Sequence, residues 1–137
     1  MKPSAVLVES SAVLEWLLDQ PRAPDVHWAL ASAPRLVASR LLLVEAARAL
    51  ARQPHAMAGE ARRRLDGLLQ GLDLVPLDAA LDAHVGRVFP HEPVRTLDAV
   101  HLATALLLRP AAPGLAVLAL DERVRRNALA LGFVVVP

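Results

Sequence analysis

The sequence predicts an α/β fold in which a parallel sheet is covered by helices on both faces. Short apolar runs without polar alternation recur along the chain, as is typical of strands that are buried on both sides. Longer segments with apolar residues at helical spacing lie between these runs. Strands that alternate with helices favour parallel pairing, and 137 residues fit one domain. We therefore expect a single domain over residues 1–137.

The first half of the chain contains three predicted strands, at residues 6–8, 36–38 and 72–75. Helices are predicted at residues 10–18, 28–33, 40–52 and 59–69. Asp25 is the expected N-cap of the second helix, and Ser39 is the expected N-cap of the third. Pro54 ends the third helix, because the residue before a proline is disfavoured in helical conformation.

The second half of the chain begins with a predicted helix at residues 78–88, which is followed by a loop containing Pro90 and Pro93. Thr96 is expected to cap a helix that runs to residue 108, and the segment RPAAPG then turns the chain into a strand at residues 115–120. The last helix is predicted at residues 121–131 and the last strand at residues 134–136. Gly132 stops that helix, as glycine commonly does.

Composition excludes several classes of protein. The chain has no cysteine, so it has neither disulfides nor thiolate metal sites. Aromatic residues are only 3%, which argues against stacking of bases on an aromatic platform. The most apolar segment, residues 99–108, is shorter than the roughly 20 residues that cross a membrane. Glu9 and Glu15 interrupt any signal-peptide core. We expect a cytoplasmic protein without a membrane anchor.

Two acidic residues directly follow predicted strands. Glu9 comes after the run VLV, and Asp121 comes after VLAL. Because sites in open parallel sheets form outside the carboxyl ends of the strands, both side chains are expected at one edge. A simpler alternative exists for each residue: Glu9 as an exposed acid at a strand end, and Asp121 as the N-cap of the last helix.

Two further acids lie within predicted helices. Glu45 is part of LLLVEAARAL, which has almost no polar face, so its carboxylate is expected in partly enclosed space and needs a partner. Arg48 could be that partner in a helical ion pair. Asp98 lies near the start of the helix TLDAVHLATALLL, where the helix dipole alone favours an acid. His101, about one turn further on the same face, is expected to be a packed, hydrogen-bonded histidine.

The four acids are more informative together than apart. Two strand ends, one helix interior and one helix start can converge on a single edge of the sheet. Gathered carboxylates repel each other unless a positive charge lies between them, and a hard divalent cation, Mg²⁺ or Mn²⁺, suits that role. Such an ion activates water and stabilises charge on a phosphoryl oxygen. The pattern therefore predicts metal-dependent hydrolysis of phosphodiester bonds.

Four segments resemble a known family. They are, in chain order, VLVESSAVLEW, SRLLLVEAARAL, RTLDAVHLATALLL and LALDERVRRNALALGFVVV. They resemble the PIN-domain ribonucleases of the VapC toxin type, over essentially the whole chain. The resemblance implies metal-binding and catalytic roles for Glu9, Glu45, Asp98 and Asp121, and supporting roles for Ser11 and Thr96. The family normally has aspartate at the first of these positions, so the glutamate here is one methylene longer.

The same resemblance implies a three-layer α/β/α sandwich with a five-stranded parallel sheet. It also implies a homodimer, a small antitoxin whose tail blocks the acidic cleft, and RNA, often a transfer RNA, as substrate. Arginine suits bidentate contact with phosphate. The candidate phosphate contacts are the arginines near the acidic edge in sequence: Arg40, Arg95, Arg123, Arg125 and Arg126.

Three functional hypotheses follow. The leading one is a metal-dependent endoribonuclease that acts as the toxin of a toxin–antitoxin pair. The second is a degenerate PIN module that binds RNA or a protein partner without cleavage, because Glu9 replaces the usual aspartate. The third, a phosphoacceptor receiver domain, is disfavoured. Receivers carry paired acids after the first strand and a lysine after a late one, whereas here Glu9 is alone and Lys2 is the only lysine.

Overall fold

A five-stranded parallel sheet forms the centre of the molecule in the computed structural model, which describes residues 2–137. The strands are β1 (Ala5–Val8), β2 (Leu36–Ser39), β3 (Leu72–Val75), β4 (Leu115–Leu118) and β5 (Val134–Val136). Their order across the sheet is β3-β2-β1-β4-β5, and every neighbouring pair is parallel. The predicted α/β class is confirmed.

Helices cover both faces of the sheet, because alternate strand residues point to opposite sides. They are α1 (Ser10–Leu17), α2 (Ala23–Ser32), α3 (Leu41–Ala51), α4 (His55–Gln70), α5 (Asp82–Val85), α6 (Thr96–Leu108) and α7 (Glu122–Ala130). Val6 and Val8 of β1 pack with α1 to α4 on one face, whereas Ala5 and Leu7 pack with α6 and α7 on the other. The result is the three-layer sandwich that the family resemblance implies.

The predicted helix at residues 78–88 is the clearest error of the sequence analysis. That segment forms a 3₁₀ turn at Ala79–Leu81 followed by the short α5. The Asp78 carboxylate accepts a hydrogen bond from the backbone N–H of Ala80 at 2.9 Å, which stabilises a local turn. The chain then leaves the helix at Gly86.

Smaller differences concern the ends of elements. Helix α2 begins at Ala23, so Asp25 lies in its first turn and is not the N-cap. Pro24 is tolerated there because the first turn of a helix leaves backbone N–H groups without partners anyway. Helix α4 begins at His55, directly after Pro54. Strand β4 ends at Leu118, two residues earlier than predicted.

Strands β1 and β4 are neighbours at the centre of the sheet, and the chain leaves them in opposite directions along the strand order. This reversal opens a crevice at the carboxyl ends of the strands, where ligands of such sheets bind. The backbone N–H of Glu9 extends the pairing by donating to the carbonyl of Leu118 at 2.9 Å. Among residues 2–137, no helix combines the length and the apolar character needed to cross a membrane.

Candidate functional site

Glu9 lies at the carboxyl end of β1 and is the N-cap of α1. Its carboxylate accepts hydrogen bonds from the backbone N–H of Ser11 at 3.1 Å and from the Ser11 hydroxyl. The residue is only 3% exposed, so it is not the exposed strand-end acid of the simpler alternative. Burial raises the pKa of Glu9 above its ordinary value, and the charge of Asp98 adds to this, although the Ser11 hydroxyl opposes the shift.

Ser11 joins the two strand ends that carry acids. Besides donating to Glu9, its hydroxyl accepts hydrogen bonds from the backbone N–H groups of Leu120 at 2.9 Å and Asp121 at 3.0 Å. One hydroxyl therefore fixes the first residue after β1 relative to the start of α7.

Asp121 has two roles in the structure. It is the N-cap of α7, as its simpler alternative proposed, and its Oδ1 accepts from the backbone N–H of Val124 at 3.1 Å. Its other oxygen, Oδ2, lies 3.6 Å from Nη2 of Arg95. The cap therefore orients this carboxylate and leaves one oxygen directed to the crevice.

Arg95 lies among the acids as their positive partner. Its Nε is 3.1 Å from Oδ2 of Asp98, which is buried in the first turn of α6, and its Nη2 faces Asp121. The hydrogen bond and charge of Asp98 raise the pKa of Arg95, with further contributions from the charges of Asp121 and Glu9. The Arg95 side chain is 69% exposed, so it holds these carboxylates from the solvent side.

Glu45, on α3, is held by residues of two other helices. Its Oε1 is 2.5 Å from Oγ of Ser10 and 2.6 Å from Nε2 of His101. Burial alone would raise its pKa, but the hydrogen bonds from His101 and Ser10 and the nearby charge of Arg95 lower the pKa below its ordinary value. Arg48, the alternative partner, does not take this role: within residues 2–137 no ion pair joins the two, since Glu45 contacts Ser10 and His101 and Arg48 is exposed.

The donor chemistry of this edge fits a hard divalent cation, because carboxylates are the ligands that Mg²⁺ and Mn²⁺ prefer. Burial is the main cause of the raised pKa of Glu9, and the nearby charge of Asp98 adds to it. In the arrangement described, however, no three His, Asp or Glu side chains of residues 2–137 surround a common point suitable for a metal ion. The guanidinium of Arg95 forms ion pairs with Asp98 and Asp121 instead, so a metal ion that binds these carboxylates would have to displace it.

Thr96 and the remaining candidate phosphate-binding arginines differ in how far their side chains are exposed and engaged in internal contacts. Thr96 is the first residue of α6, exposed, and is not its N-cap, because Arg95 takes that position. Arg40 and Arg123 are exposed, at the starts of α3 and α7. Arg126 Nη2 is 3.5 Å from Nδ1 of His91. The guanidinium of Arg125 is engaged internally, since its Nη1 donates to the carbonyls of Ala119 at 2.8 Å and Val136 at 3.4 Å.

Two residues of the site have contacts that were not predicted. Ser10 had no predicted role, although two consecutive serines directly after an acid at a strand end were a usable signal. His101 is packed and hydrogen-bonded, as expected, but its partner, Glu45, was not predicted. Fifty-six positions separate these two residues, and no local pattern connects them.

This fold and its acidic edge define the class of protein. The model of the PIN domain family matches residues 6–130, and the chain belongs to that family. The resemblance inferred from the four sequence segments is therefore confirmed.

Among curated proteins, the relatives are more specific. Ribonuclease VapC35 of Mycobacterium tuberculosis is 32% identical over 129 residues, covering 94% of this chain and 84% of its own. Ribonuclease VapC46 of Mycobacterium tuberculosis is 32% identical over 133 residues, covering 97% of each chain.

Two solved structures share the fold. Mycobacterium tuberculosis VapC20, described as a Sarcin-Ricin loop cleaving toxin, gives a TM-score of 0.68 at 20% identity, covering 96% of this chain and 99% of its own. VapBC2 from Rickettsia felis, bound to a DNA fragment from its promoter, gives a TM-score of 0.66 at 10% identity, covering 96% of both chains.

Proposed function

We propose that this chain is a metal-dependent endoribonuclease that hydrolyses phosphodiester bonds of RNA and serves as the toxin of a toxin–antitoxin pair. One observation carries the proposal: the acids at the central crevice surround a single positive group, Arg95, in a PIN domain. The curated relatives that align with nearly the whole chain are named ribonucleases, which supports the same activity.

Mg²⁺ or Mn²⁺ is the proposed cofactor. The residues that would hold it are the four acids of the crevice: Glu9, Glu45, Asp98 and Asp121. When bound, such an ion supplies an activated water and neutralises charge that develops on the phosphoryl oxygens. Two of the acids, Glu9 and Asp121, come after the central strands β1 and β4, which place them rigidly, and rigid placement of charged groups is what such catalysis requires.

The other residues of the chain prepare this edge for RNA. Ser11 keeps Glu9 and the start of α7 at a constant separation. Arg95 is exposed and long enough to move from the acids to a phosphate, and Arg40, Arg123 and Arg126 are exposed candidates for backbone contacts. Arg125 contributes to this surface less directly, because its guanidinium binds two carbonyl groups. Thr96 is a candidate supporting hydroxyl at the start of α6.

The proposed partners follow from the family. A small antitoxin would cover the acidic crevice, and the Rickettsia felis neighbour is a VapBC complex. We also propose a homodimer in the cytoplasm and RNA, often a transfer RNA in this family, as the substrate.

A second function, a PIN module that binds RNA or a partner without cleaving, is supported by one feature. Glu9 is longer than the usual aspartate, and its carboxylate is buried on Ser11. A misplacement of about 1 Å in a catalytic group lowers a rate on the order of 10²-fold. The relatives named ribonucleases favour the enzyme over this alternative.

The deciding experiment is cleavage of total RNA with and without Mn²⁺, using the unmodified chain, Glu9→Asp and Asp98→Asn. We expect Mn²⁺-dependent cleavage by the first two and a loss of roughly 100-fold or more for Asp98→Asn. The matched control is Asp73→Asn, because Asp73 is also paired with an arginine, Arg35 at 2.8 Å, but lies on the edge strand β3. If Glu9→Asp cleaved RNA and the unmodified chain did not, the binding module would be favoured. Full activity of Asp98→Asn would contradict the proposed nuclease site.

A further inference from the structure

One oxygen of Glu45 receives two short hydrogen bonds. Ser10 Oγ lies 2.5 Å and His101 Nε2 lies 2.6 Å from Oε1, and the Ser10 and His101 atoms are themselves 3.1 Å apart. These three residues come from α1, α3 and α6, so the triangle joins helices from both faces of the sheet. Ser10 and His101 are buried, whereas the Glu45 side chain remains 22% exposed.

The geometry also assigns the tautomer of His101. Its Nδ1 is buried and has no hydrogen-bond partner within the described residues. A hydrogen on Nδ1 would therefore be a buried donor without an acceptor, which is unfavourable. A hydrogen on Nε2 has an ionised oxygen directly in front of it. His101 thus acts as a donor to Glu45 through Nε2.

This arrangement is more polar than packing requires. Helix α6 is otherwise nearly continuous in apolar residues at this level, with Leu102, Ala103 and Ala105 buried around His101. A buried histidine with one unpaired nitrogen is unfavourable at such a position unless its other nitrogen makes a functional hydrogen bond. Both hydrogen bonds end on Oε1 of Glu45, and within residues 2–137 the second oxygen, Oε2, accepts no hydrogen bond.

We propose that Ser10 and His101 are positioning residues, which hold Oε1 of Glu45 so that Oε2 is presented to the divalent cation of the acidic crevice. Residues that hydrogen-bond a metal ligand from behind fix its orientation, and their replacement typically lowers metal affinity about 10- to 100-fold. The role of these residues as an aid to cation binding rests on the proposed function. Their hydrogen bonds to Oε1 are present in the metal-free structure and do not depend on the proposed function.

The first test measures Mn²⁺ affinity by electron paramagnetic resonance, which counts free Mn²⁺ and needs no RNA. His101→Phe keeps an aromatic ring and removes the donor, and we expect it to weaken Mn²⁺ binding by about 10- to 100-fold. His101→Gln, whose amide N–H can replace Nε2–H, should recover a large part of this loss. The matched control is Thr104→Val, which removes a buried hydroxyl bonded only to the Val100 carbonyl at 2.8 Å one turn further along α6.

Ser10→Ala provides an independent variant that touches the same oxygen, and we expect it to weaken Mn²⁺ binding by about 10-fold. It decides the question if His101→Phe does not fold. Wild-type Mn²⁺ affinity in both Ser10→Ala and His101→Phe, or losses no larger than that of Thr104→Val, would overturn the positioning role. If His101→Phe does not fold, wild-type affinity of Ser10→Ala overturns it.

A second measurement separates this inference from the proposed function. The imidazole ¹⁵N spectrum of the metal-free chain should show the hydrogen of His101 on Nε2, and Glu45→Gln and Ser10→Ala should each shift that resonance. A chain that neither binds Mn²⁺ nor cleaves RNA would overturn the proposed function. In that event the ¹⁵N spectrum still tests whether His101 hydrogen-bonds Oε1 of Glu45. An Nε2–H resonance that shifts in Glu45→Gln supports this hydrogen bond. A resonance that does not shift, or a hydrogen on Nδ1, overturns it.

Discussion

The Nε2 atom of His101 lies 2.6 Å from Oε1 of Glu45, so a helix on one face of the sheet holds a carboxylate carried by a helix on the other. Burial by itself would raise the pKa of Glu45. The hydrogen bonds from His101 and Ser10, together with nearby positive charge, outweigh burial and lower it. The folded chain therefore favours the ionised form of Glu45, so this carboxylate should make the free energy of unfolding depend on pH.

Glu45→Gln should make the metal-free protein less stable at neutral pH. A carboxylate whose folded pKa is below its ordinary value of 4.5 stabilises the fold above that pH, and this contribution disappears as the pH falls through the folded pKa. The difference in the free energy of unfolding between wild type and Glu45→Gln should therefore be largest near pH 7 and shrink below pH 4.5. Urea denaturation in chelator from pH 3 to pH 7 measures it.

The control for Glu45 is Glu60→Gln. The pKa of Glu60 is also lowered, by its hydrogen bond with Arg63, but this pair is fully exposed on α4 and screened by solvent. Its replacement should change stability little at any pH, and the small effect should vanish in high salt. A Glu45→Gln profile that parallels the Glu60→Gln profile would contradict the interpretation of the buried triangle.

Glu9→Gln should change the free energy of unfolding in the opposite direction to Glu45→Gln. Because burial raises the pKa of Glu9, its protonated form is favoured by the folded state. The contribution is fully present below the ordinary value of 4.5 and is lost as the pH rises through the folded pKa. Glutamine keeps an oxygen for Ser11 and carries no charge, so the metal-free variant should be more stable than wild type at pH 7 and equal to it near pH 4. Equal stability at both pH values would contradict the raised pKa.

The sheet was largely predictable from the sequence, and the contacts of the site were not. Strands at residues 72–75 and 134–136 were predicted with their observed ends because a glycine precedes each of them and a proline follows. The predicted helix at residues 78–88 was too long because Gly86, a poor helix former, ends the helical segment. Glu9 and Asp121 could be placed at one edge by the general rule for parallel sheets. The pairing of Glu45 with His101 depends on how two distant helices pack, which local patterns do not encode.

Ser11→Ala tests the hydroxyl that joins the two strand ends. It removes the acceptor of the partly buried backbone N–H groups of Leu120 and Asp121, and a fully buried group without a partner costs about 1–3 kcal/mol, which sets the upper bound. We expect a loss of up to that size in the free energy of unfolding. Ser11→Thr, which keeps the hydroxyl, should lose less. Ser32→Ala, at an exposed serine at the end of α2, should stay within about 0.5 kcal/mol of wild type.

Arg95→Gln should increase the affinity of the chain for Mn²⁺. The guanidinium is the cation now held by Asp98 and Asp121, at 3.1 Å and 3.6 Å, so it competes with any other cation for the same oxygens. Because the side chain is 69% exposed, solvent screens the competition, and the gain should be modest, roughly 2- to 5-fold. It should diminish in high salt, where the charge of Arg95 matters less.

The same substitution should weaken binding of RNA, because a guanidinium released from the acids is available to a phosphate oxygen. Titration of Mn²⁺ without RNA, followed by RNA binding to the Asp98→Asn chain with and without Arg95→Gln, separates the two effects. Arg35→Gln is the matched control, since it breaks an exposed ion pair with Asp73 away from the crevice and should change neither measurement. If Mn²⁺ affinity fell on loss of Arg95, the arginine would be supporting the acids as a preformed site, and the cation would bind beside the guanidinium instead of replacing it.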